Sequence, residues 1–113
     1  MGMRRVAAII RPERLHDVQR RLEEIGSPGF TISDVRGHGH QGVVRGSWRG
    51  EPYVLHVVHK IQVEVLCADD QVDLVAKTII DAARTGHVGD GIVYASPIDH
   101  IWEIRTAQEG LGP

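Results

Sequence analysis

The residues best suited to chemistry stand in "AARTGHVGDGIVYAS", residues 82–96, where Gly86, Gly89 and Gly91 fall within six positions around Asp90. Glycines let a main chain come close to a ligand and turn N–H groups onto an anion such as a phosphate. The same glycines also make an ordinary helix end followed by a tight turn, so the pattern alone leaves both roles open. Asp90 can accept hydrogen bonds from a sugar or brace the turn. A second cluster, Gly37 and Gly39 in "RGHGHQG", lies near Arg36, Arg45 and Arg49, with no acid between residues 36 and 50. That segment is locally cationic, either a solvated loop or one that draws anions.

Seven histidines raise the question of a metal. His38 and His40 are two apart; His56 and His59 are three apart and point to opposite faces of an extended segment. No cysteine or carboxylate completes a tetrahedral set, so no metal site is assigned, although one shared between copies stays open. Catalysis asks for a nucleophile with a base, paired carboxylates, or a metal with an open position. No such constellation is spaced for it, and the chain is expected not to be an enzyme. The single cysteine, Cys67, excludes an internal disulfide and fits a reducing compartment. It sits in the apolar run "VEVLCA", where a buried, inert thiol is the better reading. A formal charge of −2 argues against general nucleic-acid binding.

The elements that must hold these residues follow from periodicity. A length of 113 residues fits one domain, 1–113. "RRVAAIIR" is a strand at about 3–11, followed by Pro12 at the first turn of a helix. Leu15, Val18, Leu22 and Ile25 then step by three and four along one helical face, which Gly26 ends. "FTISDVRG" predicts a strand at 30–37. Residues 37–53 carry five glycines and no sustained period, an unusual length of structureless chain in so small a domain and therefore a functional loop. Strand character returns at 60–67, or from as early as 53. Asp69 or Asp70 is placed to cap a second helix, whose face is Val72, Val75, Ile79 and Ala83 and which Gly86 stops. "GIVYAS" is a further strand broken by Pro97, "IDHIWEIR" a short last one, and the tail 107–113 is expected to be loose. The order is a doubled βαβ, a ferredoxin-like α+β fold with an antiparallel sheet and two helices on one face. The other face needs cover, so the chain is expected to self-associate into a closed ring. No stretch is long and apolar enough to be a membrane span, and a cytoplasmic protein is expected.

Nearly the whole chain resembles the PII signal-transduction family of trimeric sensors. The resemblance rests on "AIIRPERLHDVQRRLEEIG", "GFTISDVRGHGHQ", "HKIQVEVLCADDQVD", "EIRT" and above all "AARTGHVGDGIVY". It implies a homotrimer with adenine-nucleotide sites in the clefts between subunits. It also implies a flexible partner-binding T-loop at about 37–57, through which a transporter, enzyme or transcription factor is controlled. Carried over by residue, the implied nucleotide site comprises Gly29, Phe30, Thr31, Gly37, His38, Gly39, His40, Gln41, Leu66, His87, Val88, Gly89, Asp90, Gly91 and Arg105. Gln41 and Lys60 match the contacts to 2-oxoglutarate, which chelates Mg2+ only when ATP is also bound. Arg45, Trp48, Arg49 and Tyr53 belong to the partner loop, Tyr53 falling where family members carry a modifiable tyrosine.

Two positions depart from the family pattern. Ile92 follows "GDG" where the family usually has lysine, and Glu103 stands where the last strand usually carries the first of two arginines. One cation is lost and another replaced by an acid, which Arg105 or a neighbour's arginine could neutralise. A preference for ADP, AMP or a cyclic nucleotide over ATP is expected, with a weak 2-oxoglutarate response. The alternatives are a classical ATP- and 2-oxoglutarate-sensing nitrogen regulator, or a metal-handling relative that uses loop histidines.

Overall fold

The computed structural model describes residues 2–27, 29–37, 43–48 and 51–110, of which 43–48 and 51–56 are described by backbone alone. The elements in chain order are β1 (Met3–Ile10), a 3-10 turn (Pro12–Arg14), α1 (Leu15–Glu24), β2 (Phe30–Gly37), β3 (Val43–Trp48), β4 (Glu51–His56), β5 (Val58–Ala68), a 3-10 turn (Asp69–Gln71), α2 (Val72–Ala83) and β6 (Gly91–Ile98). One four-stranded sheet has the order β2-β5-β1-β6 with every pair antiparallel, which is the ferredoxin-like double βαβ. β3 and β4 pair with each other in a separate two-stranded sheet.

The core lies between the helices and one sheet face. Alternate residues of β1 (Val6, Ala8, Ile10) and β5 (Ile61, Val63, Val65, Cys67) meet the helical stripe of Val18, Leu22, Val75 and Ile79. Each large aliphatic side chain so buried contributes roughly 1.5–3 kcal/mol. Burial pushes the Cys67 thiol pKa up, with Asp69 and Asp70 adding to the effect. The opposite face carries no helix. There Arg5 donates to Glu64 at 2.6 Å and its guanidinium lies 5.6 Å from the centre of the Tyr94 ring, over a fully buried Ala7. Among the described residues, no helix is long and apolar enough to cross a membrane.

The structure departs from the sequence-based expectation at six places. The glycine-rich segment forms a hairpin of β3 and β4, with Trp48 opposite Glu51. Its valines and aromatics are strand formers, and β character resumes as two strands, β4 and β5, where one was expected. Pro97 does not break β6, because β6 is an edge strand and a missing N–H costs nothing on the unpaired side. The expected last strand is reduced to one bridge, Trp102 to Glu109. The tail is tied down as far as Gly110, whose N–H donates to Ile101 at 2.8 Å, and Glu109 bonds His100 at 3.0 Å. Neither aspartate caps α2: Ala68 is the N-cap of the 3-10 turn, and Asp69 is spent on the Arg4 side chain and the Gly2 N–H. α2 also stops before Gly86, at Ala83, where the Arg14 fork donates to the terminal carbonyl of Ala82 at 2.7 and 3.1 Å.

Candidate functional site

The register of the sheet builds the site. Ile10, the last residue of β1, lies opposite both Ile61 and Gly91. Arg11, Lys60 and the loop from Thr85 to Gly91 therefore gather at one end of the sheet. The loop is organised around Asp90. One carboxylate oxygen accepts the N–H groups of Thr85 and Gly86, both at 2.9 Å. The other accepts the Thr85 hydroxyl and the Arg11 Nε–H, the latter at 3.1 Å. The Thr85 oxygen in turn accepts the His87 N–H at 3.2 Å. Arg11 donates a second bond to the Val88 carbonyl at 2.9 Å, and the Lys60 ammonium donates to the Gly89 carbonyl.

In this pattern Asp90 acts as the brace of the turn. Its carboxyl is held well below the usual carboxylate range, first by the Thr85 hydroxyl and then by the two loop N–H groups and Arg11. The Lys60 pKa is lowered too, but for the opposite reason, a penalty on its charged form: partial burial lowers it, and the positive charge of Arg11 adds to that. Gly91 is dictated by the fold, since a Cβ there would lie 1.8 Å from the Ile9 oxygen. Beside the loop is an open pocket of about 230 Å³, walled mainly by apolar residues including Ile9, Ile80, Ala83 and Ile92.

His87, Val88, Gly89, Asp90, Gly91 and Lys60 are thus brought together. Phe30, Thr31 and Leu66 are not with them. Phe30 packs on the core, Thr31 is exposed opposite Glu64, and Leu66 is half-buried opposite Arg5. Gly29 immediately precedes β2, and Gly37 closes it opposite Val58. β2 and β6 are the two edges of the sheet, three strand spacings or roughly 14 Å apart. Within one chain the residues of the implied site therefore fall into two separated groups. Arg105 faces Glu103 at 3.3 Å, while the Glu103 oxygen is buried and receives no hydrogen bond. Ile92 is 63% exposed. His38, Gly39, His40, Gln41 and Arg49 lie outside the described residues; Arg45 and Trp48 are on β3 and Tyr53 on β4. Among the described residues, no cluster of three or more His, Cys, Asp or Glu is arranged to hold a metal; His59 bonds Asp34 at 3.1 Å.

Comparison with known proteins bears on what this end of the sheet is for. The model of the family "Nitrogen regulatory protein P-II" matches residues 3–108. The chain belongs to the P-II family. It is 40% identical over 108 residues to nitrogen regulatory protein P-II 2 of Methanothermobacter thermautotrophicus, covering 96% of this chain and 94% of that one. It is 42% identical over 107 residues to the P-II protein of Microchaete diplosiphon, covering 95% and 96%. Among solved structures, Arabidopsis thaliana PII bound to citrate superposes with a TM-score of 0.78 at 36% identity, covering 96% of this chain and 89% of that one.

Arg11 and Thr85 were not assigned a role from the P-II resemblance, although both lie inside its motifs. The available signal was positional. Arg11 ends a strand whose last residue pairs with the "GDG" glycine, and Thr85 opens the loop that Asp90 closes.

Proposed function

We propose that this P-II chain is a regulatory sensor, a homotrimer that takes an adenine nucleotide in each cleft between subunits and controls a partner protein through the loop at 37–57. The separation of the two groups supports the shared cleft: Gly29, Phe30, Thr31 and Leu66 of one subunit face the loop His87–Gly91 of a neighbour, with Gly37, His38, Gly39, His40 and Gln41 completing the site. The helix-free sheet face, with Tyr94 and Ile92 exposed on it, is the surface that the trimer buries. Arg45, Trp48, Arg49 and Tyr53 are the loop's contacts with the partner.

The nucleotide is ADP, AMP or a cyclic nucleotide in preference to ATP. The observation that carries this is the pairing of Arg105 with Glu103 at 3.3 Å, which leaves the remaining arginine already facing an acid. With Ile92 in place of a cation, the third phosphate finds little positive charge. A charge-assisted hydrogen bond is worth roughly 1.5–3 kcal/mol, so each one missing weakens ATP by on the order of 10- to 100-fold. Mg2+ enters only with ATP and 2-oxoglutarate, and its oxygens would come from them and Gln41, since all of Asp90's capacity is turned inward. Lys60 would have to leave Gly89 to meet a ketoacid.

Isothermal calorimetry with ATP, ADP, AMP and cyclic AMP tests the proposal. Tighter binding of ADP or AMP than of ATP is expected, and Ile92→Lys with Glu103→Arg should shift the preference towards ATP. Micromolar ATP binding with magnesium, tighter than ADP and strengthened by 2-oxoglutarate, would show the preference wrong.

A further inference from the structure

We infer that Arg11 is a positioning residue for the nucleotide loop: by holding Asp90 and the Val88 carbonyl together it fixes the curve of residues 85–91, so that the loop's main chain is preformed for the ligand. The inference rests on the reading of this loop as a nucleotide site. Arg11 is well placed to be the fixed point. It follows the last residue of β1 directly, and the 3-10 turn after it is closed by the Arg14 N–H on the Arg11 carbonyl at 3.0 Å. Its backbone is therefore set by the sheet and by Pro12, independently of the loop. Its side chain is 13% exposed and reaches two loop groups at once, Asp90 Oδ1 at 3.1 Å and Val88 O at 2.9 Å.

A planar guanidinium can make two such bonds in fixed directions, whereas an ammonium offers charge without the fork. Asp90 relays the constraint. Its second oxygen holds the N–H groups of Thr85 and Gly86, and the Thr85 hydroxyl links it to the His87 N–H. Loop residues from 85 to 90 are thereby tied to one arginine and, through Gly89, to Lys60. Preforming a binding loop raises affinity by removing the cost of ordering it when the ligand arrives. Such a gain does not depend on how many phosphates the ligand carries. A cation that touched the phosphates would behave differently, its worth growing with their charge.

The experiment compares Arg11→Gln, Arg11→Lys, Thr85→Val and Thr85→Ser with the wild-type protein. Binding of AMP, ADP and ATP is measured by calorimetry, and amide exchange at Thr85 and Gly86 is measured without nucleotide. Arg11→Gln and Thr85→Val should each weaken all three nucleotides by a similar factor, on the order of 10-fold, and speed exchange at both amides. Arg11→Lys should not restore affinity, while Thr85→Ser, which keeps the hydroxyl, should recover most of what Thr85→Val loses. A loss that grows from AMP to ATP and is rescued by lysine overturns the inference, as does unchanged affinity in Arg11→Gln and Thr85→Val. Wild-type protein that binds none of the three overturns the nucleotide reading and this inference with it. Exchange that stays slow in both variants overturns the clamp alone.

Discussion

Replacing Gly91 by alanine measures what the fold alone demands of the glycine loop. At Gly91 φ is +109°, and a Cβ would lie 1.8 Å from the backbone oxygen of Ile9. Two costs add. Holding an L-residue in so sparse a region costs roughly 1–3 kcal/mol. A carbon and a carbonyl oxygen need about 3.3 Å, so the two backbones must part by roughly 1.5 Å. They meet at the terminal pair of β1 and β6, Ile10 with Gly91, where losing a ladder bond costs about 1 kcal/mol and drawing the adjacent Asp90 away from a donor about 1 kcal/mol more. The sum is roughly 3–5 kcal/mol, at the upper end for one substitution. Gly86→Ala is the control, since φ is +90° but nothing lies within 4 Å of the added carbon. It should cost only the conformational part, leaving a gap of about 2 kcal/mol between the variants. Thermal unfolding followed by circular dichroism, at one protein concentration because association shifts the midpoint, should place Gly91→Ala at least roughly 8 °C below Gly86→Ala. Midpoints within about 3 °C of each other would refute the steric argument.

Two titrations test the electrostatics. The Asp90 carboxyl is held below its ordinary range, so its stabilisation is complete above the unfolded pKa of about 4 and is lost as pH falls through the lower folded value. Denaturant midpoints at falling pH should therefore drop less steeply in Asp90→Asn than in the wild-type protein, and equal slopes would contradict the brace. The His100 pKa is raised, chiefly by its hydrogen bond to Glu109. That contribution is full below the unfolded pKa of about 6.5 and is lost as pH rises through the folded value, so an NMR titration of His100 should have its midpoint above that of free histidine and fall back in Glu109→Gln.

The period-2 and period-3.6 patterns carried most of the fold. Val63 and Val65 on one strand face, and Val18 with Leu22 on one helix face, are buried as their spacing demands. Where the sequence misled, a tertiary partner had replaced a local signal. The end of α2 is set by Arg14, which is 68 residues away from the carbonyl it covers, and no glycine rule foresees that. Asp69 looks like a cap, but Arg4 and the Gly2 N–H take its oxygens first. Pro97 reads as a strand breaker until the strand order shows that β6 is an edge. The site was legible as a glycine loop near an acid; the clamp on it was not, because Arg11 and Asp90 are 79 residues apart and meet only through the β1–β6 register.

This double use of the loop limits what a glycine can report. Gly91 is required by the Ile9 carbonyl whether or not anything binds, so lost binding in a Gly91 variant would not distinguish a missing ligand contact from a sprung strand end. Asp90 is compromised in the same way, because its oxygens hold the loop rather than face outwards. The side chains that can speak for the ligand are those the fold does not use. Ile92 is 63% exposed and Arg105 80% exposed, and among the described residues Arg105 pairs with one acid, Glu103. Changes at Arg105 leave the core and the clamp untouched, so a shift in nucleotide preference there can be assigned to charge, whereas a change at Ile92, on the face proposed to be buried by the trimer, needs the oligomeric state measured beside it. A uniform loss of affinity at Arg11 or Thr85 can be assigned to the loop that presents it.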